Sequence, residues 1–260
     1  MLECYGNPKA GQKSGSPAVL LLHAFPLSGE MWEPQFACLE QAGYTVIAPH
    51  VYGVEGSPGK SGWSMADYAD ELASLLDRLE CSEATVAGLS MGGYQAFEFY
   101  RLHPDKVSSL VLCDTRAVND SPEAYAQRME FRRAVEELGS EEAMKRMLPN
   151  FFAPRTYTSR PEIVTFAQQL ILRQSPGAIS EAMRAIAERP DSTGLLRSIS
   201  CPVLIINGAE DTVTPPATAE AMNEAIPHSV LGIIPDAGHL SNLEQPGRFN
   251  TLLLEHLKNL

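Results

Sequence analysis

The chain alternates short unbroken apolar runs with longer segments of helical periodicity. Ala18–Leu22 (AVLLL) is apolar throughout, the pattern of a strand buried on both faces of a parallel sheet. Residues 44–48, 84–87, Val107–Cys113, 202–206 and Val230–Ile234 read as further strands. Between these runs, residues 30–42 put Met31, Phe36 and Leu39 on one side. Residues 65–79 put Met65, Tyr68, Leu72, Leu75, Leu76 and Leu79 on one face. Residues 216–226 and 243–257 read as two further helices. Strands alternating with helices predict an α/β fold with a parallel sheet and right-handed crossovers.

The alternation stops between Ser121 and Arg189. No strand-like run occurs there, and the helical pattern is broken at Pro149, Pro154, Pro161 and Pro176. Helices inserted into an alternating chain predict a cap over one end of the sheet. The expected division is a core of residues 1–115 and 195–260 with a helical cap at 116–194. Residues up to Ser16 are polar and Gly-rich and read as a loose lead-in.

The stretch with most chemical content is ATVAGLSMGGYQAFEFY, from Ala84 to Tyr100. It reads as strand, sharp turn, helix, with Ser90 at the apex of Gly88-Leu89-Ser90-Met91-Gly92. A Cβ at either glycine would collide with the neighbouring strand or helix. By composition alone this five-letter pattern arises in about one chain in ten of this length. The strand before it and the helix after it therefore carry the weight.

Open α/β sheets keep their working residues at the carboxyl ends of strands. Those ends offer His23, Phe25, His50, Ser90, Asp114, Asp211 and His239. A serine nucleophile needs a base of near-neutral pKa, a carboxylate to fix the imidazole tautomer, and donors for an oxyanion. Ser90, Asp211 and His239 supply that chemistry in a known chain order. Asp114 is the rival carboxylate, and Asp236 reads as a turn residue.

Charge and cysteine content narrow the class. Net charge is −12 with no Lys/Arg run, which argues against nucleic acid and anionic membrane partners. The five cysteines, Cys4, Cys38, Cys81, Cys113 and Cys201, are scattered without a C-x-x-C pair. Neither a disulfide framework nor a zinc site is suggested, and reduced thiols in a cytoplasmic protein are expected. No apolar h-region opens the chain and no stretch is long enough to span a bilayer.

The chain resembles the α/β-hydrolases over nearly its whole length. The matching pieces are HAFP at His23 to Pro26, GLSMGG at Gly88 to Gly93, NGAEDTVTP at Asn207 to Pro215, and AGH at Ala237 to His239. The resemblance implies Ser90 as nucleophile, Asp211 as acid and His239 as base. It also implies the amides of Phe25 and Met91 as the oxyanion hole. HAFP and the Asp114-Thr115-Arg116 strand end look similar to small carboxylesterases and the 3-oxoadipate enol-lactonase group. Two departures stand out. The lead-in is short for the antiparallel hairpin that usually opens the fold, so an edge strand is missing or reduced to the first few residues. His50 stands where the family's following loop usually begins with Asp.

The remaining candidates have plainer expectations. His23 braces the oxyanion loop; His50, His103 and His228 are structural or solvated. Ser57 and Ser241 have no partner suggested by spacing. Trp32, Tyr125, Met147, Phe151 and Phe152 are candidates for an acyl pocket beneath the cap. Arg116 either meets an anionic substrate or pairs on the cap. The expected function is hydrolysis of a small carboxylic ester or lactone through an acyl-enzyme, with no cofactor or metal required. C–C bond hydrolysis on the same triad, and ligand-sensing signalling on the same fold, are the rival expectations.

Overall fold

The computed structural model describes residues 1–6 and 17–260. Residues 7–16, most of the expected lead-in, lie outside the described residues. Among the described residues, seven strands form one sheet in the order β1-β3-β2-β4-β5-β6-β7. They are β1 (Cys4–Tyr5), β2 (Ala18–Leu22), β3 (Thr45–Pro49), β4 (Ala84–Leu89), β5 (Val107–Cys113), β6 (Val203–Gly208) and β7 (Val230–Ile234). Among the described residues only β1 runs antiparallel to its neighbour; it has two residues, Cys4 and Tyr5, paired with Pro49 and Ala48. Every residue of β2, β3, β4 and β6 is buried, as their unbroken apolar runs require.

The helices of the alternating part are α1 (Glu33–Gln41), α2 (Met65–Arg78) and α3 (Met91–Leu102), then α9 (Pro216–Ala225), α10 (Ser241–Glu244) and α11 (Pro246–Lys258). Helix α2 is opened by a capping box: the Ser64 hydroxyl accepts from the Asp67 amide, and the Asp67 carboxylate accepts from the Ser64 amide. Two expected helices differ at their starts. The first begins as a 3-10 turn, Gly29–Trp32, with Pro34 in the first turn of the α-helix proper. The last is divided at Gln245 because Pro246 has no amide to continue the preceding turn.

Five helices lie between β5 and β6: α4 (Pro122–Leu138), α5 (Ser140–Met147), α6 (Thr156–Ser159), α7 (Pro161–Leu172) and α8 (Pro176–Ala187). Pro161 and Pro176 start α7 and α8, where a missing N–H costs nothing. Helix α8 packs along α4. Where the chain leaves and re-enters the sheet, the buried Asp120 carboxylate takes Arg116, Arg128 and Arg189 together. The Arg189 guanidinium also lies 4.2 Å over the Tyr94 ring, which fastens the insertion to α3.

Strand register brings the functional candidates to one edge. Leu22 lies opposite Gly88, Leu89 opposite Cys113, and Cys113 opposite Ile206. The residues that follow, His23 to Phe25, Ser90, Asp114 and Asn207, therefore emerge side by side.

Two buried histidines tie the loops at this edge. His23 Nε2 accepts from the Val51 amide at 3.1 Å, which places its proton on Nδ1, donating to the Ala24 carbonyl at 2.9 Å. His50 Nδ1 accepts from the Gly29 amide at 3.0 Å. Both rings accept from amides and so are held neutral. Burial pushes His23 down to about 3 and His50 to about 4. His50 thus anchors the loop that the family usually begins with Asp.

A pH dependence follows. Unfolded histidine takes up a proton near pH 6.5, whereas these two resist it until about 4 and 3. Between those values the unfolded state binds more protons, so their stabilising contribution is complete above about pH 6.5. It is lost progressively as pH falls towards 4. Urea midpoints measured at pH 7, 6 and 5 are expected to fall, and His23→Gln is expected to flatten that fall. An unchanged slope in His23→Gln would show that other groups set it.

Candidate active site

The turn between β4 and α3 places Ser90. Its backbone has φ 55° and ψ −110°, a left-handed conformation rare for a residue with a side chain. Close packing enforces it. A Cβ at Gly88 would lie 2.1 Å from the Gly92 carbonyl oxygen, and one at Gly92 would lie 2.1 Å from that of Leu22. The apex is pinned at both ends of the residue: the Ser90 amide donates to the Cys113 carbonyl at 2.9 Å, and the Thr115 hydroxyl donates to the Ser90 carbonyl at 2.8 Å.

The loop after β7 brings His239 to Ser90. His239 Nε2 lies 2.8 Å from Ser90 Oγ, and Nδ1 lies 2.8 Å from Asp211 Oδ2. The carboxylate accepts from Nδ1–H, so the lone pair of Nε2 faces the Ser90 hydroxyl. The imidazole is 2% exposed, and the Phe151 ring stacks on it at 6.3 Å between centroids. Asp211 is itself well held. Oδ1 accepts from the amides of Val213 and Thr214, and Oδ2 also accepts from the Thr214 hydroxyl at 2.6 Å. Burial pushes the Asp211 carboxyl up, but the charge of His239 and these hydrogen bonds outweigh it and bring it below the usual range. A chain of this kind can draw the Ser90 proton onto Nε2 while Asp211 holds the imidazolium.

Asp114 stands apart from His239. Fully buried, it accepts from the Gly208 amide at 2.7 Å and the Ser241 hydroxyl at 2.5 Å, joining the ends of β5 and β6 to α10. Burial and then the nearby Asp211 charge raise its pKa well above the usual range. Ser241 thus has a partner that spacing did not suggest. So does Ser57, whose hydroxyl donates to the His50 carbonyl. Asp236 sits in the turn before His239 with φ 55° and pairs with Arg155.

The two residues expected to supply oxyanion donors are Phe25, in the loop after β2, and Met91, directly after Ser90. Met91 is the first residue of α3, so its N–H has no helical acceptor. Phe25 and Met91 both line a small, partly open apolar cleft. Its floor is Phe25, Leu27 and Met91, and its roof is Ala178, Ile179 and Ala182 of α8. No lysine or arginine lines it; His23 and Gln174 are its polar side chains.

The five residues expected at an acyl pocket do not line this cavity. Phe151 lies on His239, and Phe152 packs edge-on against Tyr157. Met147 is half-buried at the end of α5. Trp32 and Tyr125 are placed elsewhere. Trp32 is sealed against Phe249 of α11, and Tyr125 is 40% exposed on α4, whose buried residues are Phe131 and Val135. Arg116 pairs with Asp120 and lines a separate groove with Arg197 and Met222. The α8 residues escaped the sequence reading; their one signal was the small-residue spacing Ala178, Ala182. Among the described residues, no group of three His, Cys, Asp or Glu is placed to hold a metal, and no helix is long and apolar enough to cross a membrane.

Known proteins share this architecture. A thermophilic esterase from Thermogutta terrifontis, solved with malate bound, superposes with a TM-score of 0.91 at 39% identity over 95% of this chain and 91% of that one. The enol-lactonase of Burkholderia xenovorans superposes at 0.88 with 24% identity over 96% of this chain and 94% of that one, a likeness of fold. The 3-oxoadipate enol-lactonase 2 of Acinetobacter baylyi is 30% identical over 236 residues, 90% of this chain and 86% of that protein. The model of the alpha/beta hydrolase fold family matches residues 17–246. With that match and the seven-stranded sheet, the chain belongs to the α/β-hydrolase family.

Proposed function

We propose that this protein is a serine hydrolase that cleaves small carboxylic esters or lactones through an acyl-enzyme. The observation that carries the reading is the unbroken chain from Ser90 through His239 to Asp211, with both links at 2.8 Å. In this mechanism Ser90 Oγ attacks the carbonyl carbon as His239 Nε2 takes its proton. The amides of Phe25 and Met91 receive the oxyanion. His239 then returns the proton to the leaving oxygen, and water, activated by the same imidazole, releases the acid. Asp211 keeps the proton on Nδ1 throughout and balances the transient imidazolium.

The cavity beside Phe25 and Met91 supports a neutral, small acyl group. The small size and apolar lining of that cleft favour a short acyl chain. A lactone formed from a dicarboxylic acid such as 3-oxoadipate keeps one free carboxylate, and the cavity lining offers no cation to meet it. The esterase likeness at 39% identity points the same way.

Three measurements test this. Ser90→Ala is expected to fold normally and lose about 10⁴ to 10⁶ in kcat, and a fluorophosphonate is expected to label Ser90 in the parent. Label on another serine, or full activity in the variant, sinks the nucleophile. Asp211→Asn is expected to cost about 10⁴ in kcat, because it presents the wrong hydrogen-bond partner to Nδ1. Asp114→Asn is expected to lower stability far more than kcat per folded molecule; the reverse ranking would move the acid to β5. Finally, Ala182→Phe narrows the cavity. It is expected to lower kcat/KM for butyrate relative to acetate esters by roughly 10- to 200-fold. A constant ratio would place the acyl group elsewhere.

A further inference from the structure

Glu244 lies five residues beyond His239 and outside the hydrogen-bonded chain of the active site. It is 3% exposed, and a carboxylate so deeply buried is costly unless donors satisfy it. Three do. Oε1 accepts from the Gly238 amide at 2.5 Å, and Oε2 accepts from the Ala153 amide at 2.9 Å and the Thr156 hydroxyl at 2.5 Å. Gly238 immediately precedes His239, whereas Ala153 and Thr156 belong to the helical insertion. One carboxylate therefore joins the two segments that meet over the imidazole.

The surrounding contacts make this junction tight. A Cβ at Gly238 would lie 2.7 Å from both the Ala153 nitrogen and the Phe152 carbonyl carbon, so the two backbones touch. On the other side of His239, the Leu240 amide donates to the Phe151 carbonyl at 2.9 Å. Arg160 Nη1 reaches across from the insertion to the carbonyls of Leu243 and Glu244, which fixes the end of α10. Both neighbours of His239 are thus bonded, Gly238 to Glu244 and Leu240 to Phe151. The Phe151 ring closes the face of the imidazole.

We propose that Glu244 is a positioning residue for His239. It holds Gly238 from below and clamps the Phe151–Thr156 segment onto the imidazole, so that the insertion and the base share one rigid mount. The inference rests on the reading of His239 as the base. A carboxylate is acceptor-only and satisfies all three donors; a glutamine of the same size must turn its NH2 group against one of them. A displacement of about 1 Å at a catalytic group costs on the order of 10²-fold in rate.

The test compares Glu244→Gln with the Thr156→Val and Thr156→Ser pair, using a p-nitrophenyl acetate assay, fluorophosphonate labelling of Ser90 and thermal unfolding. Glu244→Gln is expected to lower kcat about 10- to 100-fold, slow labelling in parallel, and leave KM within about twofold. Thr156→Val removes only the insertion-side hydroxyl; it is expected to lower kcat by about 3- to 10-fold, and Thr156→Ser to restore it. A folded Glu244→Gln with parental kcat and labelling rate would overturn the proposal. Should that variant fail to fold, parental kcat in Thr156→Val would overturn it equally. A parent that fluorophosphonate does not label at Ser90 would overturn the reading of the site itself, and the role of Glu244 with it.

Discussion

Three backbones converge within van der Waals distance at Ser90, and the site depends on that approach. Strand β4, helix α3 and the end of β2 come so close that neither Gly88 nor Gly92 has room for a methyl group. The approach forces Ser90 to φ 55°, a conformation that costs about 1–3 kcal/mol and persists only where the surroundings over-determine it. Here the Cys113 carbonyl and the Thr115 hydroxyl grip the residue from β5 and the loop after it. The strain lifts Oγ clear of the chain, at the amide end of a twelve-residue helix.

The same sheet edge sorts two aspartates into different tasks. Asp211 and Asp114 follow adjacent parallel strands, and Asp114 senses the charge of Asp211. Asp211 faces His239 and Thr214 and is held ionised by them. Asp114 faces a backbone amide and the Ser241 hydroxyl in a fully buried pocket, and its ionised form is disfavoured. Residue type is identical; donors and burial make one the ionised partner of His239 and the other a brace between strand ends.

The helical insertion is bound to the core at its hinge and over the base. Asp120, gathering three arginines, fixes the crossing from β5 to the insertion and back to β6. Glu244 and Phe151 fix the segment that lies on His239. Between these two attachments α8 roofs the cavity beside Phe25 and Met91 with small and branched apolar side chains. A change in α8 therefore alters that cleft, whereas a change near residue 153 reaches His239.

The sequence by itself determined the strand order of events along the chain and the chemistry at the strand ends. A strand buried on both faces reads as an unbroken apolar run, so Ala18–Leu22 was legible to the residue. That Ser90, Asp211 and His239 stand at strand ends was legible because the turn that holds each has its own local signature of glycine, proline or aspartate; the structure adds that they lie within hydrogen-bond distance. Only the tertiary structure decided what meets across long stretches of chain. Trp32 and Phe249 are far apart in sequence, and their contact turned a pocket candidate into core packing. Helical periodicity shows that Tyr125 or Ala178 lies on some face, but the packing of α4 against α8 decides which face looks onto the site. Glu244 carried no signal at all, because a buried carboxylate is specified by its donors. Those donors, at Ala153, Thr156 and Gly238, come together only when the insertion folds onto the loop of His239.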